Sequence, residues 1–260
     1  MDLEKLKDDW ESLARRDALG AILTDETKIG GKWDLGEFMA TGEAEIVTVM
    51  EHLKDVGCEP DYGGTALDFG CGVGRLTQAL GRRFASCVGV DISREMVEQA
   101  ERLNRYPHCR YVVHADTRLP FPDGGFAFVY SNIVLQHVPP QFAEQYLREF
   151  VRILKRGGVL VFGVQDSFLM PDFSSRVMRL RQILRLRSRI KRLLGKAEGE
   201  MLMHCLPEPV VRRALGSGAQ VVDLQWTNTA AKDFNGRLAY LNQPPRSGYV
   251  GRQYCVLKAD

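Results

Sequence analysis

Between residues 64 and 165, short apolar runs alternate with segments of helical periodicity, and this alternation constrains the fold more than any other feature of the chain. The runs are "TALDF", "SCVGVD", "CRYVVHA", "FAFVYSN" and "GGVLVFGVQ". Helical patterns fit residues 73–84, 93–105 and the stretch "PPQFAEQYLREFVRILK", whose prolines suit a helix start. Near-continuous apolar strands separated by helices predict a parallel sheet covered on both faces.

The flanks read differently. Residues 2–19 and 42–55 have helical patterns, with Gly57 closing the second, and form an expected N-terminal helical cap over 1–60. After the fifth strand, which ends a core spanning 61–165, comes a basic insertion spanning 166–204. A helix near 207–215 and two strands, "AQVVDLQW" and "YVGRQYCVLKA", fill 205–260. No convincing helix separates those strands, so an antiparallel hairpin at a sheet edge is expected. The whole is read as one α/β domain over 1–260: a doubly wound, Rossmann-like, seven-stranded, mostly parallel sheet with an antiparallel last strand.

Composition excludes several classes. The chain has 260 residues, 45% of them hydrophobic and 26% charged, as in ordinary globular proteins. No apolar run approaches the ~18 residues that span a bilayer. The opening "MDLEKLKDDWESLARRD" has no apolar secretory core, so a cytoplasmic location is expected. Six cysteines occur without a C-x-x-C pair, mostly inside apolar runs, and read as buried thiols. The neighbours His108-Cys109 and His204-Cys205 lack the spacing of a tetrahedral zinc site, and no metal is expected.

The first strand leads into "ALDFGCGVGRLTQAL", residues 66–80. Ligands of doubly wound sheets bind at the carboxyl ends of the strands, and glycines there permit positive φ and a close backbone approach. The dinucleotide fingerprint G-x-G-x-x-G fails in both registers, because its third glycine would fall on Arg75 or Thr77. What stands here is Asp68-Phe-Gly70-Cys71-Gly72-Val-Gly74. Asp91 ends the second strand 17 residues after Gly74, where an acid can accept from both ribose hydroxyls. Asp116, in "VVHADTRLPF", follows the third strand. Each acid alone also reads as a helix cap or turn residue.

Taken together over residues 64–165, these motifs, with "FAFVYSNIVLQHV" and "REFVRILKRGGVLVFG", resemble the class I S-adenosylmethionine-dependent methyltransferases. The resemblance implies S-adenosyl-L-methionine as cofactor. It implies Asp68, Gly70, Cys71 and Gly72 along the methionine end, Asp91 at the ribose, Ile92 and Met96 at the adenine face, and Ala115, Asp116 and Thr117 at the adenine edge. Asn132, after the fourth strand, would offer its backbone carbonyl to the ammonium group. Arg75 departs from the small or apolar residue often found there, and reads equally as a contact to the methionine carboxylate or as a solvated helix residue.

Methyl transfer to a hydroxyl needs alignment and a proton acceptor. His137, in "LQHVPP", is the candidate base, with a structural histidine as the alternative. Asp166 and His204 are further substrate-side candidates. The absence of [DN]-P-P-[FY] at Ser131-Asn132-Ile133-Val134 and of any Pro-Cys disfavours DNA base methylation. A small-molecule, glycan or lipid-linked acceptor with an oxygen or nitrogen nucleophile remains. A catalytically silent binding or scaffold subunit is the reading from another class.

Nine of the chain's 35 Lys and Arg lie in residues 176–196 with no acid among them, leaving 26 bases against 33 acids elsewhere, a net −7. Apolar residues at Val177, Leu180, Ile183 or Leu184, Leu186, Ile190 and Leu193 predict an amphipathic helical lid. Such a segment suits an anionic substrate or peripheral membrane contact, or is simply a solvated face. Nucleic acid is disfavoured.

Overall fold

The computed structural model describes residues 2–170, 201–231 and 234–259. The basic stretch 176–196 lies outside them, and so does the expected lid helix.

Two long helices precede the sheet, α1 (Leu3–Ile22) and α2 (Leu35–Asp55). The Asp2 side chain accepts from the Lys5 amide and that of Asp34 from the Glu37 amide, so each helix has an acidic N-cap that satisfies an orphan donor. This cap carries α2 seven residues further upstream than the expected 42–55, through Gly36 and Gly42, which mask the periodicity. At Asp17 the backbone of α1 leaves helical geometry (φ −165°, ψ 83°), and the freed carboxylate accepts from the amides of Gly20, Gly30 and Gly31.

The sheet then assembles from β1 (Thr65–Phe69), β2 (Ser86–Asp91), β3 (Cys109–Val113), β4 (Phe126–Ser131), β5 (Leu154–Leu169), β6 (Ala219–Thr227), β7 (Tyr240–Leu241) and β8 (Gly248–Lys258). Helix α3 (Arg75–Gly81) joins β1 to β2, α4 (Arg94–Leu103) joins β2 to β3 and α5 (Pro140–Ile153) joins β4 to β5, while β3 runs to β4 without a helix; α6 (Glu208–Leu215) precedes β6. The strand order is β3-β2-β1-β4-β5-β8-β6-β7, parallel through β5, with β8 antiparallel to both β5 and β6. The sheet therefore has eight strands where the sequence predicts seven. The extra one, β7, is a two-residue pairing of Tyr240 and Leu241 with Thr227 and Trp226, too short for a periodic signal. Bulges fall in β5 between Gln165 and Ser167, and in β6 between Val221 and Asp223.

Both sheet faces are packed. On one, Phe150, Leu147 and Ala143 of α5 and Val211 of α6 meet Leu67, Val129 and Leu160. On the other, Ile46, Val49 and Leu53 of α2 and Leu76 and Leu80 of α3 cover Ala66, Phe128 and Val161. Each such side chain contributes roughly 1.5–3 kcal/mol by leaving water. A third cluster joins α1 and α2 to Val73 and Met96, which seats the cap over the carboxyl ends of β1 and β2. Among the described residues, no helix is long and apolar enough to cross a membrane.

Candidate active site

Strand β1 ends in a turn in which Gly70, Gly72 and Gly74 all have positive φ (75°, 51° and 84°). Only glycine takes such angles without strain. A side chain on Gly70 would also run into Val134, and one on Gly74 into the Tyr111 ring. The Gly70 and Cys71 amides donate to the Val90 carbonyl at 2.8 and 3.0 Å, tying the turn to the end of β2.

Asp91 completes that link. Its carboxylate accepts from the Gly72 amide at 2.8 Å and from the Ser93 amide at 2.9 Å. Burial nevertheless pushes its pKa up to about 6, since two amide donors do not offset the loss of water. Beside it, Glu11 of α1 accepts from the Ser93 hydroxyl and from the Arg94 and Glu95 amides, at the start of α4. The sequence gives no local sign of this contact, which joins residues more than 80 positions apart.

The Gly70–Gly72 part of the turn and Asp91 border a cavity of about 440 Å³, within the ~300–1,000 Å³ of small-molecule and cofactor sites. Gly70, Cys71, Gly72, Arg75, Asp91, Ile92, Met96, Asn132 and His137 all line it. Asp68, Ala115, Asp116, Thr117, Asp166 and His204 do not. Asp68 is buried behind the turn, where one oxygen accepts from the Thr77 hydroxyl at 2.6 Å and the other has no partner. Burial pushes its pKa up to about 7. Asp116 is exposed and folds its carboxylate onto the Arg118 amide, while its carbonyl accepts from Tyr146, which does line the cavity. From the same strand end, His114 reaches the wall instead. Asp166 accepts from the Glu208 amide and so caps α6.

Arg75 is not the solvated helix residue of one reading offered by the sequence. Its guanidinium is buried and donates to Glu45 of α2 at 2.9 Å and to the Thr41 hydroxyl at 3.3 Å. Tyr130 and the Asn132 side-chain amide both donate to the other Glu45 oxygen at 2.8 Å. Glu45, in the middle of a helical pattern, gave no sequence signal. The residue after Asn132, Ile133, has φ 55° and lines the cavity. A β-branched residue in this region is strained, and such strain concentrates at functional sites.

His137 stands on the opposite wall, with the Trp10 ring edge-on at 5.5 Å. Its Nδ1 is 3.0 Å from the Leu202 carbonyl, which can only accept, so Nδ1 carries the proton and Nε2 is left with the lone pair. The Gln136 side-chain amide lies 3.2 Å from Nε2, and Gln165 donates to Gln136 at 2.6 Å. Burial, chiefly, lowers the pKa of His137 to about 4, so the ring is neutral at pH 7. The His204 amide donates to the Gln136 carbonyl at 2.7 Å, which brings the segment from Met201 onward against this wall.

A parallel sheet with glycine turn, ribose-distance acid and cavity at its carboxyl ends defines a Rossmann-like α/β domain of the kind that holds nucleoside ligands. Residues 67–162 match the family model described as "Methyltransferase domain". The chain is 36% identical over 137 residues to demethylmenaquinone methyltransferase of Staphylococcus saprophyticus, covering 51% of this chain and 57% of that one. It is 38% identical over 142 residues to trans-aconitate 2-methyltransferase of an Enterobacter species, covering 54% of each. The matches thus span about half the length of these relatives. Among solved structures, magnesium protoporphyrin IX methyltransferase of Synechocystis, with bound SAM, shares the fold at TM-score 0.59 and 16% identity, over 100% of this chain and 98% of that one.

Proposed function

We propose that the protein is an S-adenosyl-L-methionine-dependent methyltransferase that methylates an oxygen of a small-molecule acceptor. The observation that carries the reading is the joining of the Gly70–Gly74 turn to Asp91 on the wall of one cavity. The residues present fit the cofactor. Positive-φ glycines leave room for a ligand against the backbone, Asp91 keeps lone pairs beyond those used by two amides, and Ile92, Met96 and Phe69 supply an apolar slot for a purine.

When bound, S-adenosyl-L-methionine supplies a methyl group on a sulfonium, already activated for displacement. The chain's part is alignment, exclusion of water and removal of one proton. Trp10 and Ile22 of α1, together with Ile133, cover the cavity with apolar surface. His137 holds an unprotonated Nε2 at this wall, with Nδ1 anchored on Leu202, and serves as acceptor for a hydroxyl proton once the hydroxyl displaces the Gln136 amide from that lone pair. Its low basicity suffices, because an alcohol oxygen becomes strongly acidic as its bond to carbon forms.

Calorimetric titration with S-adenosylmethionine, S-adenosylhomocysteine and NADH tests the cofactor. Micromolar binding of the two sulfur ligands, without NADH, is expected. Binding of NADH alone, or of none, would sink the reading.

A further inference from the structure

The part of the cavity lining beyond the cofactor-binding turn is mostly hydrocarbon. Met201 and Met203, two apart on one segment, line the cavity together with Val138, Phe234 and Tyr249, whose phenol is the one polar end among them. The intervening Leu202 and His204 turn backbone groups to His137 and Gln136.

Most polar side chains on this side already hold partners, while the Thr24 and Tyr249 hydroxyls have none among the described residues. Asn132 is bound to Glu45, Thr229 to Thr227, and Gln136 to both His137 and Gln165. Among the described residues, no lysine lines the cavity, and its one arginine, Arg75, is paired with Glu45. A sugar or a phosphate brought here would lose water without matching donors, at a cost of several kcal/mol per uncompensated group. The Gln136 amide retains one N–H and one lone pair, enough for a single polar group of a ligand.

We infer that the acceptor site takes an uncharged, hydrocarbon-rich alcohol or phenol, with Met203 and Val138 against its body and its one hydroxyl at Gln136 and His137. This rests on the assignment of the glycine turn to the cofactor. It narrows the acceptor away from the sugars and anions that the basic segment 176–196 suggested.

The test is calorimetry on the full chain with 2-naphthol and glucose 1-phosphate as probes, with and without S-adenosylhomocysteine. We expect 2-naphthol to bind in the micromolar range and the sugar phosphate at least about tenfold more weakly, a gap of roughly 1.4 kcal/mol. Met203→Glu should weaken 2-naphthol by about tenfold or more. Met203→Leu should not, and S-adenosylhomocysteine affinity should survive both changes. Tighter binding of glucose 1-phosphate, no binding of 2-naphthol, or indifference to Met203→Glu would overturn the inference. Failure of S-adenosylhomocysteine to bind would instead strike the methyltransferase reading, while the contest between the two probes on the unliganded protein still decides what the chamber accepts.

Discussion

Arg75 and Glu45 meet at 2.9 Å with side chains only 2% and 0% exposed, and through this pair the helix after the glycine turn is bolted to the N-terminal cap. An ion pair this deep is costly to break, because the surviving charge has neither partner nor water. Glu45→Ala should therefore destabilise the fold by about 3–5 kcal/mol in urea unfolding. The double change Glu45→Leu with Arg75→Met should recover most of that loss. A single variant within ~1 kcal/mol of the parent would show the pair to be solvated in solution.

Gly42 lies on α2 where it crosses α3. Glycine-to-alanine changes inside helices ordinarily stabilise by ~1 kcal/mol. Here a Cβ would stand 2.5 Å from the Arg75 carbonyl oxygen, a backbone atom that cannot swing away. Gly42→Ala should lower the melting temperature, against the usual sign.

Asp68 makes stability depend on pH in the direction opposite to a salt-bridged acid. Its folded pKa of about 7 exceeds the ordinary value near ~3.9, so the native state keeps a proton that the unfolded chain releases. Stability from this group is full below about pH 4 and is lost as pH rises to about 7. Asp91, raised to about 6, adds a slope of the same sign. Asp68→Asn, which mimics the neutral acid, should gain stability over the parent at pH 8 and none at pH 4, as read by urea unfolding at both values. A parallel pair of pH curves would refute this.

His137 should set the acidic limb of turnover. With its pKa lowered to about 4, the ring stays unprotonated well below pH 6.5, so kcat for an accepted hydroxyl should hold down to about pH 5. His137→Asn should reduce kcat by about 10²-fold or more, with S-adenosylhomocysteine affinity nearly unchanged. A limb near 6.5, or full activity of the variant, would assign the proton elsewhere.

The periodic parts of the molecule were legible in the residues and the long-range ones were not. Strands β1 and β2 match their apolar runs residue for residue, and Gly70, Gly72 and Asp91 reach one cavity because a parallel sheet aligns its strand ends. Glu45 and Glu11 were invisible for a shared reason: each is an acid on a helix whose partner lies far along the chain. Arg75 misled because a charged residue just inside a helix usually meets solvent. Asp116 and His114 exchange places at the cavity wall, a matter of which way a non-periodic loop turns after β3.

The bulge in β6 has a consequence for behaviour at high concentration. Among the described residues, β6 beyond its short pairing with β7 has no strand partner on the outer side of Ala219–Gln225, where an unbroken row of free amides and carbonyls would invite a second molecule to add on. The irregularity between Val221 and Asp223 breaks that row, and the Asp223 carboxylate is drawn inward to His52 at 2.7 Å. The strand margin is divided into runs too short to template a neighbour, so the open side of this sheet is guarded against fibrillar stacking by one extra residue.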